Sequence, residues 1–291
     1  MAIPYDLDYK KPATLQECTD LLAEYGNKSR ILSGGTDLAN EMKMGFRVPE
    51  ILIDIKGLSE LKKIEFKDNK LFIGSGVTFS EIIDSKVIKD NAYILWEAAH
   101  LVASNGVRNR ATMVGNICSA VPCMDSAGPL LVYEAVIHAV SKKGNRDITT
   151  NKFFVDNRKT DVQPDEIVVG VTLNIPKIKV GGSYNKQMRY SGEDLSQSNV
   201  SILALEDKTF RVAFGSVAPT PKRSPKVEDM LKGKDVDDKL IAEIQKVIET
   251  VIAPITDIRA TKEYRVHMVK VMFERGLKTA LTRLKQPKII S

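Results

Sequence analysis

The chain has 291 residues, of which 43% are hydrophobic and 27% are charged, so it is long enough for two domains and has the composition of an ordinary folded protein. Its 43 Lys and Arg exceed its 37 Asp and Glu and give a net charge of +6, which we interpret as solvated helix surface because no nucleic-acid-reading module is recognisable. With no apolar run near the roughly 18 residues of a membrane helix and no signal peptide, we expect a cytoplasmic protein that binds neither membranes nor nucleic acid.

Cysteine and histidine usage argues against a metal centre and against acid–base catalysis. The three cysteines, Cys18, Cys118 and Cys123, are an odd number without a paired framework, which favours reduced thiols. An iron–sulfur cluster usually takes four thiolates, and Cys118 and Cys123 lack CxxC spacing. The three histidines are far apart in sequence, so we expect neither a metal site nor a catalytic side chain.

The N-terminal part of the chain predicts a small α/β unit. Thr14 and Glu17 have the spacing of a capping box, and Gly26 suits the end of the helix that they begin. The predicted segments are a helix over 14–25, a strand over 30–32, a short helix over 38–44 and a strand over 51–55.

The middle of the chain predicts a second unit of strands and helices. A turn at Asp68-Asn69 joins two strands, and Thr78 and Glu81 form a second capping box. A loop rich in small and polar residues is predicted over 112–116. The other predicted segments are strands over 62–66, 70–74 and 167–175, helices from 78 toward 83 and over 91–102, and a helix followed by a strand within 130–140.

The C-terminal part predicts an α+β domain, a sheet packed against helices. Gly181 and Gly182 mark the predicted boundary before it. The predicted segments are strands over 198–205 and 210–217 and helices over 240–251 and 262–284. We therefore expect units with the limits 1–56, 57–178 and 179–291.

The loop from Ser33 to Asp37, which follows a strand and precedes a helix, is a candidate phosphate site. Gly34 and Gly35 allow a tight turn that presents bare N–H groups, and Thr36 adds a hydroxyl donor. The loop has neither the Lys-Ser/Thr pair of a Walker loop nor the GxGxxG pattern. The alternative is a tight turn that merely needs glycine.

The segment from Thr112 to Asp125 is a second candidate. Thr112, Gly115 and Asn116 supply small polar groups, and the Asp125 carboxylate is suited to the hydroxyl groups of a ribityl or ribose unit. Alternatively, Asp125 caps the helix that follows. Together the two segments suit a long cofactor with two phosphates.

Three parts of the sequence, in this order, resemble the xanthine dehydrogenase and carbon monoxide dehydrogenase family of molybdenum hydroxylases. Residues 31–43 are similar to its first FAD loop, residues 112–125 to its second FAD loop, and residues 257–265 to its C-terminal flavoprotein domain. The likeness covers nearly the whole chain. Because no molybdopterin or iron–sulfur segment is present, the chain resembles the stand-alone medium subunit.

The resemblance implies a fold, a cofactor and partners. The fold is α+β, with a two-subdomain FAD-binding fold of the vanillyl-alcohol-oxidase/PCMH type over 1–56 and 57–178 and a medium-subunit-like C-terminal domain over 179–291. The cofactor is FAD. The partners are a molybdopterin-containing large subunit, which oxidises the substrate, and a small [2Fe–2S] subunit, in a dimer of heterotrimers. The chain would take electrons from the clusters and pass them to NAD+ or another acceptor.

The resemblance also implies which residues bind FAD. The first loop would hold the pyrophosphate, Val102 or Ala103 would pack near the adenine, and the second loop would line the phosphates and ribityl chain. Asp125 would bind cofactor hydroxyls, Val168 would pack against the isoalloxazine, and Lys186 would lie near the polar edge of the flavin. The full set is Ile31, Leu32, Ser33, Gly34, Gly35, Thr36, Asp37, Leu38, Val102, Ala103, Thr112, Met113, Val114, Gly115, Asn116, Asp125, Val168 and Lys186.

Three departures from the family pattern leave alternatives open. The second loop usually has two consecutive glycines, but Val114 stands at the first, and Ala103 stands where glycine is frequent. Residues 188–191 also differ, at a place that could shape the approach of an electron acceptor. One alternative is a scaffold subunit that has lost its flavin. Another is a stand-alone flavin reductase of the same fold, for which we find no proton donor or substrate pocket.

Overall fold

The computed structural model describes residues 3–190 and 192–286, which form an α+β fold whose strands lie in four sheets. The first sheet has three parallel strands in the order β1-β3-β2. Its elements are β1 (Asp8–Lys10), α1 (Leu15–Tyr25), β2 (Ser29–Leu32), α2 (Leu38–Lys43) and β3 (Ile51–Asp54).

Helix α1 begins and ends as its sequence indicates. The Thr14 hydroxyl accepts a hydrogen bond from Glu17 N, but the Glu17 carboxylate bonds Ala13 N, so the reciprocal bond of the capping box is displaced by one residue. Gly26 ends the helix with a φ of 48°, a value that favours glycine. The helix buries Cys18 in an apolar cluster with Ile53 of β3, against which Ile31 of β2 also packs.

The second sheet has five antiparallel strands in the order β4-β5-β10-β6-β7. Its strands, with those of a separate two-stranded ribbon, are β4 (Ile64–Lys67), β5 (Lys70–Gly74), β6 (Val136–Ser141), β7 (Gly144–Thr149), β8 (Phe154–Asp156), β9 (Lys159–Thr160) and β10 (Ile167–Asn174). The helices of this part are α3 (Phe79–Asp84), α4 (Lys86–Asn91), α5 (Tyr93–His100), α6 (Asn105–Arg108), α7 (Met113–Ser119), α8 (Ala127–Val132) and α9 (Thr150–Phe153).

One helix prediction in this part was confirmed, and one loop prediction was wrong. The predicted helix over 91–102 is present as α5, which begins after Ala92, whose backbone lies outside the helical region, while α4 before it was not predicted. The loop over 112–116 is the start of α7, where the Thr112 hydroxyl accepts from Gly115 N. Small polar residues that indicate a loop also serve as helix caps, and the sequence did not distinguish the two.

The third sheet has four antiparallel strands in the order β11-β12-β13-β14 and is covered on both faces. Its elements are β11 (Val180–Gln187), β12 (Ser198–Leu205), β13 (Phe210–Gly215), β14 (Lys222–Arg223), α10 (Pro225–Leu231), α11 (Asp238–Val251) and α12 (Lys262–Lys285). On β12, Val200 and Ile202 pack among the C-terminal helices, whereas Leu203 and Leu205 join the core of the second unit. All eight residues of β12 are therefore buried.

Gly181 and Gly182, which mark the predicted boundary before the C-terminal domain, lie inside β11, the first strand of the third sheet. A Cβ on Gly181 would overlap the backbone of α12 at Ala280 and Leu284, and a Cβ on Gly182 would overlap Ile94 of α5. These glycines are required by close packing on the two faces of the sheet, which a local sequence pattern does not reveal. None of the helices in residues 3–190 and 192–286 is long and apolar enough to cross a bilayer.

Candidate functional site

A cleft of about 870 Å³ runs between the first loop, the second segment and the loop that joins β11 to β12. This volume lies near the upper end of the range for small-molecule sites. The cleft is the place where most of the predicted cofactor-binding residues meet. Those that line it are Ile31, Ser33, Gly34, Gly35, Thr36, Asp37, Leu38, Val102, Ala103, Thr112, Val114, Gly115, Asn116, Asp125 and Val168.

The first loop leaves β2 at the carboxyl edge of the parallel sheet and carries unpaired backbone donors. Gly35 has a φ of 74°, as a tight turn requires, whereas a Cβ on Gly34 would lie 2.9 Å from Ala111 Cα and overlap the Arg110 carbonyl. Within the described residues, the amides of Gly34, Gly35 and Thr36 donate no hydrogen bond to the chain. The loop therefore is a glycine turn and also leaves three N–H groups for an acceptor in the cleft.

The second segment meets the first loop through hydroxyl groups. Thr112 Oγ1 lies 3.3 Å from Ser33 Oγ and accepts from Gly115 N at 3.0 Å. The Asn116 side-chain oxygen accepts from Ser126 Oγ at 2.6 Å, which fixes that side chain at the cleft wall. The two segments thus form one continuous polar wall although they are about 75 residues apart in the sequence.

Asp125 belongs to a buried ion pair and is not a helix cap. Tyr184 Oη donates to Asp125 Oδ1 at 2.6 Å, and Lys186 Nζ donates to Asp125 Oδ2 at 2.9 Å and to Leu101 O at 2.8 Å. The helix that follows, α8, has Ser126 and not Asp125 as its N-cap residue, and no side chain caps it. The N-cap alternative is therefore excluded.

The ionisation of this group follows from its burial. Burial raises the pKa of Asp125, against the opposing effects of the Lys186 ammonium and the Tyr184 hydroxyl. Burial and the neighbouring carboxylate raise the pKa of Tyr184 well above its ordinary value, so the phenol keeps its proton and remains a donor. A carboxylate has about four lone-pair positions, so Asp125 retains acceptor capacity on the cleft side.

Three of the predicted residues do not line the cleft. Lys186 lies behind Asp125 with its side chain 1% exposed, Met113 is fully buried at the start of α7, and Leu32 packs under the loop beside Gly35. These three positions support the wall from the protein side. Their contact with a cofactor stays a prediction.

Charged side chains that the sequence interpretation missed also line the cleft. Arg30 donates only to backbone carbonyls, while Glu41 pairs with Arg47 at 3.3 Å and with Arg158. Nearby, burial and then repulsion by Glu41 raise the pKa of Asp37. No local motif marked these cations, because they come from β2, from the segment after α2 and from the turn between β8 and β9.

The departures from the family pattern have local structural outcomes. Ala103 has a φ of 39°, the left-handed region that favours glycine, and Arg108 Nη1 holds this turn by donating to Val102 O and Ala103 O, each at 2.6 Å. Val114 lines the cleft but is only 3% exposed, so most of its side chain lies in the core. Of residues 188–191, Ser191 lies outside the described residues, and Arg189 pairs with Asp194.

The donor set fits an elongated ligand that carries phosphate. Unpaired amides and three hydroxyl-bearing residues, Ser33, Thr36 and Thr112, occupy one wall, and apolar Val102 and Val168 line other parts of the cleft. Across the described part of the chain, no group of three metal-ligating side chains is present.

Comparison with known proteins gives matches along nearly the whole chain. A family model described as the FAD binding domain in molybdopterin dehydrogenase matches residues 5–177, and one described as the CO dehydrogenase flavoprotein C-terminal domain matches residues 183–280. The xanthine dehydrogenase FAD-binding subunit of Escherichia coli O157:H7 is 30% identical over 279 residues, which are 94% of this chain and 95% of that protein.

Carbon monoxide dehydrogenase of Hydrogenophaga pseudoflava is similar in both sequence and structure. Its medium chain is 28% identical over 284 residues, which are 97% of this chain and 99% of that protein. A solved structure shows this dehydrogenase in a form that lacks the Mo-pyranopterin moiety of the molybdenum cofactor. One of its chains matches this chain with a TM-score of 0.93 and 28% identity, and the match covers 97% of this chain and 99% of that one.

Proposed function

Because the chain belongs to the family of FAD-binding medium subunits of molybdenum hydroxylases, we propose that it relays electrons between two partners. It takes them from the [2Fe–2S] clusters of a small subunit and passes them to NAD+ or another acceptor. Substrate oxidation occurs on a molybdopterin-containing large subunit, in a dimer of heterotrimers. The chain is thus an oxidoreductase subunit with FAD as its cofactor.

One observation carries the proposal: the two predicted FAD loops meet at a cleft and leave unpaired amides and hydroxyl groups there. The amides of Gly34, Gly35 and Thr36 would hold the pyrophosphate. Thr112 and Asn116 would hold phosphate and ribityl groups, while the apolar Val168 would pack against the ring system. These assignments rest on the family likeness and on the donor set.

The protein's own part in the reaction is binding and electrostatic positioning. Bound FAD would supply the redox chemistry. Asp125 presents a carboxylate whose orientation is fixed from behind by Tyr184 and Lys186, so it accepts hydrogen bonds from cofactor hydroxyls without rearrangement. The apolar side chains of Val102 and Val168, which line the cleft, would exclude water from the adenine and the isoalloxazine, respectively.

The remaining proposals concern organisation and location. We propose the units 1–56 and 57–178 as the FAD-binding subdomains and 179–291 as the C-terminal domain, and each of the three large sheets lies within one of these ranges. The cysteines, an odd number without a paired framework, support a cytoplasmic location.

The first test is the visible absorption spectrum of the purified chain, followed by release and quantification of the flavin. About one FAD per chain, with bands near roughly 370 and 450 nm, is the expected result. A colourless protein that also does not bind added FAD would contradict the relay function and favour the scaffold alternative. Bleaching of the FAD-loaded chain by NADH then tests NAD+ as the acceptor, and no bleaching would indicate another acceptor.

A further inference from the structure

We propose that Ser75, which neither the sequence motifs nor the family likeness assigned, is a further cofactor-binding residue whose hydroxyl donates to a phosphate oxygen of FAD. The inference rests on the proposed function, since it names an additional contact in the same cleft. Ser75 follows β5 and lines the cleft beside the first loop.

The hydroxyl of Ser75 is a buried donor without a partner. The residue is 3% exposed, and its Oγ makes no hydrogen bond in the described part of the chain. Its backbone groups are already used, because Ser75 N donates to Val169 O at 3.0 Å and Ser75 O accepts from Ser33 Oγ at 3.4 Å. The side-chain hydroxyl is therefore the one polar group of this residue that is left for a ligand.

The backbone around Ser75 is held rigidly. Gly74 N donates to Lys63 O and Gly76 N donates to Leu61 O, each at 2.8 Å, and Val77 N donates to Gly74 O. A Cβ on Gly74 would overlap the carbonyl group of Leu61, so the two backbone segments approach each other as closely as glycine allows. The Ser75 hydroxyl is therefore presented from a fixed position, and little conformational entropy is lost when it binds.

The surroundings of Ser75 favour an anionic acceptor. Ser33 Oγ contacts the Ser75 carbonyl on one side and Thr112 Oγ1 on the other, and the Thr112 oxygen already accepts from Gly115 N. With the amides that follow Ser33, this part of the wall has more donors than acceptors. Phosphate oxygens satisfy such a set better than a flavin ring or an adenine does.

The same geometry gives opposite expectations for folding and for binding. An unpaired buried hydroxyl destabilises the free protein, because its bonds to water are lost without replacement. Ser75→Ala should therefore leave the thermal midpoint of the flavin-free protein unchanged or raise it. It should also weaken FAD binding about 10-fold or more, the effect of losing one hydrogen bond to a charged group.

The test measures dissociation constants of the flavin-free full-length chain for FAD, ADP and riboflavin, with the thermal midpoint of each variant. Ser75→Ala should weaken FAD and ADP but not riboflavin, which lacks phosphate, and Ser75→Cys, with a poor donor, should give a smaller loss. Ser224→Ala is the matched control, because Ser224 Oγ is also buried and unpartnered but lies outside the cleft lining, and it should bind all three ligands like the wild type.

The other outcomes separate the possible failures. Wild-type protein that binds neither FAD nor ADP contradicts the proposed function itself. Unchanged FAD binding by Ser75→Ala overturns the assignment of Ser75, and a loss for riboflavin without a loss for ADP overturns the assignment to phosphate. A lowered midpoint in Ser75→Ala, or equal loss of binding in Ser224→Ala, would mean that the residue acts only on the fold.

Discussion

Removing either member of the Asp125–Lys186 pair should destabilise the flavin-free protein strongly, and removing both should cost much less than the sum. The ammonium and the carboxylate are 2.9 Å apart, with side chains 1% and 9% exposed. At an effective dielectric constant of about 20, Coulomb's law gives an attraction of about 6 kcal/mol at that separation. Desolvation offsets part of this, and breaking a buried pair from one side typically costs about 3–5 kcal/mol.

The perturbation is a double-mutant cycle of Asp125→Asn, Lys186→Met and the two together. Each single substitution leaves one buried group without its counterion, whereas the double variant leaves an amide and an apolar chain. We therefore expect a coupling free energy of about 3 kcal/mol or more. Urea unfolding can be followed by the fluorescence of Trp96, the single tryptophan, which lies in α5. The next residue, Glu97, accepts a hydrogen bond from the backbone N–H of Tyr184 in β11, so the tryptophan lies near the strand that carries Lys186.

An exposed pair provides the control. Lys28 and Glu50 are 3.1 Å apart but their side chains are 63% and 61% exposed, so the same cycle there should give a coupling below about 1 kcal/mol. If the effects of Asp125→Asn and Lys186→Met simply add, the two groups are not paired in solution. The account of Asp125 as a carboxylate held from behind would then be wrong.

Three further predictions test the cleft and the C-terminal unit. Gly34→Ala should abolish or greatly weaken FAD binding and destabilise the chain by about 1–3 kcal/mol, because the new Cβ overlaps the Arg110 backbone. The control Gly106→Ala places its Cβ in open space at an unstrained φ and should bind FAD normally. Equal binding by the two variants in an FAD titration would contradict the packing argument. Ala103→Gly should raise the thermal midpoint or leave it unchanged, since glycine relieves a left-handed backbone that costs an L-residue about 1–2 kcal/mol, and a lowered midpoint would show that the turn is not strained. Partial burial raises the pKa of Asp257, but the backbone N–H and guanidinium of Arg259 outweigh this effect and hold the pKa well below its ordinary value. Because the folded-state pKa is depressed, the stabilisation is present above about pH 4 and is lost as the pH falls. Asp257→Asn should therefore flatten that part of the curve of unfolding midpoint against pH.

The fold class and the cofactor loops were predictable because their signals are local. The order of strand, glycine loop and helix around Ser33 to Asp37 is written in adjacent residues, and an FAD-binding fold followed by a C-terminal α+β domain is confirmed. The start of α7 was misread because a capping threonine and a loop threonine look alike in sequence.

The remaining features depend on contacts between distant segments. Only glycine fits at positions 181 and 182, because α12 and Ile94 of α5 pack directly against the backbone of β11. The Ser75 hydroxyl is unpaired in a turn whose backbone is held by hydrogen bonds to Leu61 and Lys63. The partner of Asp125 lies 61 residues away on β11, so only the folded chain reveals that Lys186 orients the carboxylate. No pattern of spacing or composition encodes such pairs.

The sheet that is covered on both faces limits how this chain can be recombined with its relatives. Leu203 and Leu205 of β12 complete the core of the preceding unit, and Arg283 of the last helix pairs with Glu97 at 2.7 Å. A chimera joined near residue 180 would bring together two apolar surfaces that had not been selected to match. Exchange of the C-terminal segment between paralogues therefore requires compensating changes in α5 and α8, so the two halves are expected to evolve as one inherited block.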